Sequence, residues 1–486
     1  MINLKISNCK ILKRNIERCR QKKIVIPTFQ QMRFPQTIPD KITSALKEVG
    51  LWEINPLNLF RITWKNEPVE KAGLYQQVNY VEIPPSLSGV DCTIIGLVGK
   101  WFPTGSHKVG ATFGCIVPYL ITGQFDATSN KAVWPSTGNY CRGGAYVASL
   151  LGCKSVAILP EEMSQERFDW LAKVAGEVIA TPGCESNVKE IFDKCHQLRE
   201  NRSEVVIFNQ FDQFGNYLWH YSVTGPAIHE VLSIPTYADK NIAGILLTSG
   251  SSGTLGSADY LKQQYPAMKI AVGEAWQCPT LLLNGYGGHR IEGIGDKHVP
   301  WIHNVKNTDL VVDVDDEHTM RLLRLFNEPE GKELLIKQGV PSAFVKSLDL
   351  LGISSIANLI GCIKLAKYYE LNRQDLLVTV FTDSFELYPS RIKQLKKFRG
   401  AYDQEQAIKD REILFQLSLD RIEELDYYSR KKIHNLKYYT WVEQQNKQVE
   451  ELDQQWYNRD YWKTIQSQTE KIDELINEFN AKVGIL

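Results

Sequence analysis

The sequence predicts an α/β fold with largely parallel sheets, closed by an α-helical C-terminal extension. Two observations carry this. Between about residues 92 and 390, short apolar runs that end in turn residues alternate with amphipathic segments. Beyond about 395 the chain becomes rich in Glu, Gln, Lys, Leu, Tyr and Trp and nearly free of Gly and Pro. Alternation of the first kind argues for strand–helix–strand units, whose parallel sheets bind ligands beyond the carboxyl ends of their strands.

The apolar runs, in order, are "KAVWPS" (131–136), "SVAILP" (155–160), "EVIATP" (177–182), "EVVIFN" (204–209), "AGILLTSG" (243–250), "KIAVGEA" (269–275) and "LLVTVFTD" (376–383). Helical patterns such as "GGAYVASLLG", "SQERFDWLAKVAG" and "SNVKEIFDKCHQLRE" separate several of them. Residues 1–75 read as an N-terminal extension with weak strand signals and a Pro-containing linker. In the tail, Ile408, Ile413, Leu417, Ile422 and Leu425 recur at helical spacing, as do Ile472, Leu475 and Phe479. These stripes predict two or three amphipathic helices, with the tail's aromatic residues in core or subunit packing.

Composition narrows the class. Lys+Arg and Asp+Glu both number 56, so no charge excess points to nucleic acid or to an anionic membrane. No uncharged apolar run approaches the roughly 20 residues of a membrane span. The charged N-terminal segment does not read as a signal peptide. Ten cysteines, scattered without a C-x-x-C pair or a metal-type spacing with His, read as reduced thiols of a cytoplasmic protein.

Three loops carry chemistry. "GSHKVG" (105–110) sets Lys108 at a turn entering a helix, where an amine either is solvated or acts as a nucleophile beside a carbonyl cofactor. "STGNYCRGG" (136–144) lies between a strand and a helix and suits a carboxylate. "SGSSGTLG" (249–256) lies at a second such junction, where Gly250 and Gly253 let the backbone approach a phosphate and Ser251, Ser252 and Thr254 add hydroxyls. Neither G-K-[ST] nor G-x-G-x-x-G is present, which suggests a phosphate without a nucleotide. A fourth stretch, "VFTDSFELYPS" (380–390), closes the last strand with Asp383 and Ser384 side by side. Amine, carboxylate nest, phosphate cup and polar strand end together meet the needs of pyridoxal phosphate acting on an amino acid.

The chain resembles the fold-type II pyridoxal phosphate enzymes, specifically the cysteine synthase and cystathionine β-synthase family, with a secondary likeness to the tryptophan synthase β-subunit. The resemblance runs in order from about 80 to 392, through "PTGSHK", "PSTGNY", "ILPEEMSQERFDWLAKVAGEVIATPG", "FNQFDQFGNYLWHYSVTGPAIHE", "TSGSSGTLG", "GHRIEGIGDKHVP", "VVDVDDE", "LGISSIANL" and "VFTDSFELYPS". It implies two open, largely parallel sheets flanked by helices with the cofactor, pyridoxal 5′-phosphate, between them. The catalytic core would span 76–394, with a small domain at about 115–225 inserted in the large one and a helical extension at 395–486.

By the same resemblance Lys108 holds the cofactor as an imine and shuttles the α-proton. Ser136, Thr137, Gly138, Asn139 and Tyr140 match the substrate loop, with Asn139 also touching the cofactor. Gly250, Ser251, Ser252, Gly253 and Thr254 hold the phosphate, and Ser384 sits at the pyridine nitrogen, although sequence leaves open whether Asp383 or Ser384 faces the ring. The implied reaction is β-replacement or β-elimination on a serine- or cysteine-type amino acid through an aminoacrylate, in a homodimer that binds neither nucleic acid nor membrane. The alternatives are a threonine synthase- or dehydratase-like lyase and a non-catalytic, cofactor-binding regulatory subunit. The chain departs from the pattern after the lysine and at "GDKHVP", where Asp296, Lys297 and His298 replace small and aromatic residues. The leaving group would depend on residues around Tyr140, Trp219, His220 and His298, with Arg142 or Lys297 as a cation for an acidic one.

Overall fold

The computed structural model describes residues 1–68, 74–136 and 138–485. Its eleven described strands are β1 (Tyr80–Ile83), β2 (Thr93–Val98), β3 (Lys131–Pro135), β4 (Lys154–Pro160), β5 (Glu177–Thr181), β6 (Val205–Ile207), β7 (Asn241–Thr248), β8 (Lys269–Ala275), β9 (Leu310–Val314), β10 (Asp375–Phe381) and β11 (Ile422–Glu424). They form two sheets. The larger runs β1-β2-β10-β7-β8-β9-β11, and the smaller runs β5-β4-β3-β6. Every pair is parallel except the two at the edges of the large sheet, β1 with β2 and β11 with β9. The expected pair of open, largely parallel sheets flanked by helices is therefore the observed architecture.

Burial explains the strand sequences. β10 is buried at all seven residues and β9 at all five, so both are mostly apolar rather than alternating, as strands covered on two faces are, with Asp375, Thr379 and Asp313 as the polar exceptions. The helix Ile353–Tyr368, buried at fourteen of its sixteen residues, packs on β10, β7 and β9. The parallel strands β2, β3, β7 and β10 all end in loops that converge on one cleft. Gly99 N–H donates to Phe381 O at 2.8 Å and joins the ends of β2 and β10.

Two expectations need correction. The N-terminal segment shows no strand among its described residues; it forms the helices Cys9–Gln21, Phe29–Arg33 and Asp40–Leu46. In the apolar run 24–26, Ile24 and Ile26 are buried, and Ile26 is met by a side chain: Asn480 Oδ1 accepts from Ile26 N–H at 3.1 Å and Asn480 Nδ2 donates to Ile26 O at 2.8 Å. The tail, in turn, holds five α-helices that begin beyond 395, not two or three: Gln404–Phe415, Tyr427–Lys437, Val449–Tyr457, Tyr461–Gln466 and Gln468–Val483. Capping cuts the stripe, because Asp403 and Asp426 each accept a first-turn N–H, at 2.8 and 2.7 Å. Ile422 belongs to β11 instead of a helix. Trp441, Trp456 and Trp462 are buried, as packing residues should be, whereas Tyr427, Tyr428, Tyr438 and Tyr439 are exposed.

The two ends of the chain meet. The helix Gln468–Val483 packs on Cys9–Gln21, on Phe29–Arg33 and on the Lys108 helix. Asp473 accepts from Phe29 and Gln30 N–H at 2.7 and 3.0 Å, and Arg20 caps the last turn through Val483 O and Lys482 O, at 3.0 and 2.7 Å. No helix among the described residues is long and apolar enough to cross a membrane.

Candidate active site

Lys108 opens the helix Lys108–Ile121 directly beyond the loop that follows β2. Its side chain is partly exposed to a cleft whose walls include His107, Ser136, Asn139, Tyr140, Glu185, Gly250, Ser251, Ser252, Thr254, Asp296 and Thr382. Nζ donates to Ser251 Oγ at 3.1 Å. Burial brings the ammonium down to about 8, opposed by the nearby Asp296 carboxylate.

The loop between β7 and the helix Leu255–Gln264 is a ready anion cup. The backbone N–H groups of residues 250 to 254 have no acceptor among the described residues, a run of free donors at the positive end of a helix. Close packing leaves no room for side chains on its glycines: a Cβ on Gly253 would lie 2.0 Å from Asn216 Oδ1, and one on Gly250 would lie 2.7 Å from Gly293 O. Ser251 Oγ also accepts from Asn216 Nδ2 at 3.0 Å, and the Ser249 and Ser252 hydroxyls lie 2.7 Å apart.

The loop after β3 forms the facing wall. Ser136 Oγ accepts from Gly138 N–H at 3.0 Å, and the helix Asn139–Leu150 starts one residue later. Tyr140 OH donates to Phe208 O at 3.2 Å. Asn139 Nδ2 donates to Asp383 Oδ2 at 2.6 Å, so that Asn139 Oδ1 is buried without a partner. Thr137 lies outside the described residues.

These observations can be set beside known proteins. Residues 101–334 match the pyridoxal-phosphate dependent enzyme family. The cysteine synthase of Staphylococcus aureus is 30% identical over 259 residues, which cover 53% of this chain and 75% of that protein. The cystathionine β-synthase of Saccharomyces cerevisiae is 24% identical over 313 residues, 63% of this chain and 58% of that one. Among solved structures, the cysteine synthase of Entamoeba histolytica superposes with a TM-score of 0.56 at 20% identity, covering 70% of this chain and 93% of that one. The O-acetylserine-dependent cystathionine β-synthase of Helicobacter pylori gives 0.53 at 24%, covering 64% and 94%. The chain belongs to the pyridoxal-phosphate dependent enzymes, in their cysteine synthase-like branch.

A pyridoxal-phosphate dependent enzyme of this branch needs an amine, an anion cup and polar groups for the ring, and the cleft supplies all three. The fit rests on Lys108, on the five free N–H groups and on the unpartnered Asn139 Oδ1. At the end of β10 the assignment is finer than the sequence suggested. Thr382 lines the cleft, whereas Asp383 and Ser384 do not. Asp383 is held by Asn139 and by Tyr388 OH at 2.6 Å, and Ser384 Oγ is buried without a partner.

The neighbourhood expected for the leaving group is also different. Of the residues named for it, only Tyr140 lines the cleft. His220 and Trp219 are packed behind His107, and His298 lies among Phe192, Phe211 and Trp441. Arg142 is buried over the rings of Trp52 and Trp170, and Lys297 is exposed. His107, inside the first loop beside Lys108 but given no role by the sequence, has its Nε2 3.1 Å from Thr382 Oγ1, and burial lowers its basicity well below the usual value. Sequence reading missed Glu185, which accepts from Gly293 N–H at 2.9 Å. Glu185 sits in no recognisable spacing and reaches the cleft through tertiary packing.

Proposed function

We propose that this enzyme catalyses β-replacement or β-elimination on a serine- or cysteine-type amino acid. The observation that carries the reading is Lys108, enclosed in a cleft beside five consecutive free N–H groups. Lys108 would hold the cofactor through Nζ, the N–H groups and hydroxyls of 250–254 its phosphate, and Asn139 its ring substituent. When bound, pyridoxal phosphate supplies an electron-accepting ring that acidifies the Cα–H bond of an attached amino acid.

The protein's own residues do the rest. The substrate carboxylate would dock at 136–140, where a helix N-terminus offers N–H donors. Lys108 Nζ, freed by the incoming amino group, would accept the α-proton; an amine near neutrality is suited to that step, as burial makes this one. Thr382, which lines the cleft, would offer a hydroxyl near the ring nitrogen, whereas Asp383 Oδ2 already accepts from Asn139 and Tyr388. A neutral hydroxyl there leaves the ring less often protonated than a carboxylate would, which favours prompt loss of a β-substituent. The reading also takes the molecule as a cytoplasmic homodimer. All ten cysteines are free thiols, as in a reducing compartment, and size-exclusion chromatography with light scattering checks the dimer.

The test is a spectral titration of the holoenzyme with O-acetylserine, O-phosphoserine, serine, cysteine and threonine, followed by a thiol. A cofactor band that shifts with the serine-type compounds and returns on adding thiol is the expected result. Ammonia and pyruvate without thiol mark elimination. A response to threonine alone overturns the reading in favour of a dehydratase-like lyase, and no response to any amino acid points to a regulatory subunit.

A further inference from the structure

The segment Gly293–Asp296 lines the cleft, and its backbone is pinned. Gly295 N–H donates to Ser249 O at 2.8 Å, His289 Nε2 lies 2.9 Å from Gly295 O, and Thr280 Oγ1 donates to Asp296 O at 2.7 Å. Gly295 has φ +74°, and a Cβ there would stand 2.4 Å from His289 Nε2, so only glycine makes this turn. The result is that Asp296 is presented rigidly to the cleft, as one of its lining residues, with its side chain more than nine-tenths buried.

A buried carboxylate is ordinarily hydrogen-bonded or paired. Asp296 Oδ2 has no partner, and Lys108 donates to Ser251 rather than to it. The other cleft carboxylate, Glu185, accepts from Gly293 N–H through Oε1. An unpartnered acid oxygen on a residue that lines the cleft is available for a proton transfer.

Resting on the β-chemistry proposed above, we propose that Asp296 is a second acid–base group of the site, which serves the β-substituent and matches the enzyme to unactivated serine or cysteine. In the first half-reaction the Cβ–O or Cβ–S bond breaks and its electron pair stays with the departing group. The Asp296 carboxyl gives that group its proton, releasing water or hydrogen sulfide and leaving a carboxylate. In the second half-reaction a thiol or water adds to Cβ, and the carboxylate takes its proton and is restored. Hydroxide, the conjugate base of a very weak acid, needs such help to leave, whereas acetate departs as a stable anion.

The protonation state suits the role: burial raises Asp296 to about 7, opposed by Lys108. The titratable groups facing it are Lys108 from the helix after β2, Glu185 from the loop after β5, Cys278 from the turn after β8 and His289 from its own loop, with exposed Lys297 adjacent.

The experiment compares the holoenzyme with Asp296→Asn and Asp296→Ala, measuring kcat/KM for serine, cysteine and O-acetylserine from pH 5.5 to 9. Cofactor absorbance and thermal midpoint establish that the variants are folded and loaded, and a collapsed variant is replaced by Asp296→Glu. Expected is a loss of about 100-fold or more with serine and cysteine, a clearly smaller loss with O-acetylserine, whose acetate leaves without a proton, and disappearance of the pH limb near 7. Equal losses on all three substrates overturn the inference while the β-chemistry stands. A wild-type enzyme that ignores serine and cysteine but turns over O-acetylserine also overturns it. Wild-type inertness toward all three overturns the underlying reading as well.

Discussion

Two enclosed lysines show how one residue type is used for opposite ends. Lys437, in the tail helix Tyr427–Lys437, is fully buried and spends all three N–H donors: on Trp301 O at 3.0 Å, His303 O at 2.6 Å and Gln455 Oε1 at 2.7 Å. Lys108 has one acceptor, Ser251 Oγ, and an open cleft in front of it. Burial depresses both ammonium groups. The saturated one is a fastener that ties the tail to the loop before β9, and the unsaturated one keeps capacity in reserve for a ligand. Partner count, more than depth, separates structure from chemistry here.

Breaking the contrast at its reactive end should have the largest effect. Lys108→Ala is expected to lower turnover by more than about 1000-fold and to remove the borohydride-reducible link to pyridoxal phosphate, read by mass spectrometry after reduction. A reducible link surviving in the variant would reassign the lysine. At the fastener, Lys437→Met keeps the volume but strands three buried acceptors. The expected cost is about 3 kcal/mol of stability, seen in urea unfolding, with the cofactor band of the folded enzyme unchanged. A loss of the band without a loss of stability would make Lys437 part of the site.

The third effect concerns pH and is smaller. Free amine, not ammonium, attacks a carbonyl, so uptake of pyridoxal phosphate by apoenzyme should quicken as pH rises through about 8 and level off above it. Because Asp296 holds the Lys108 value up, Asp296→Asn should move that midpoint downward; stopped-flow absorbance measures both, and an upward shift would refute the coupling. The smallest effect is expected at an exposed lysine. Lys189 pairs with Asp193 at 2.5 Å with both side chains mostly in solvent, and such pairs contribute little. Lys189→Ala should leave the melting midpoint and turnover within error.

The same contrast explains what the sequence disclosed. Lys108 and the 250–254 loop were legible because each sits at a turn entering a helix, and because their chemistry depends on local backbone and residue type. The fastener was not, since "HNLKYY" gives no sign that Lys437 reaches residues 301 and 303. For the same reason His298 was expected near the substrate, when Trp441 from the tail encloses it with Phe192 and Phe211. At the end of β10, adjacent hydroxyls and a carboxylate were visible, but only the bonds from Asn139 and Tyr388 to Asp383 show which is already engaged. Edge strands β1 and β11, four and three residues long, carry too little pattern to be seen without their partners.

The meeting of the chain's two ends sets a timetable for synthesis. The helix that begins at Lys108 is covered on one side by residues 468–483 and by the N-terminal helix those residues clasp. A chain emerging from the ribosome at roughly 5–20 residues per second therefore carries its reactive lysine for some tens of seconds before the last covering helix exists. Until then the apolar flank of that helix is open to chaperones and to other nascent chains. Cofactor capture, which needs the cleft in its final shape, becomes a late event coupled to the arrival of the tail.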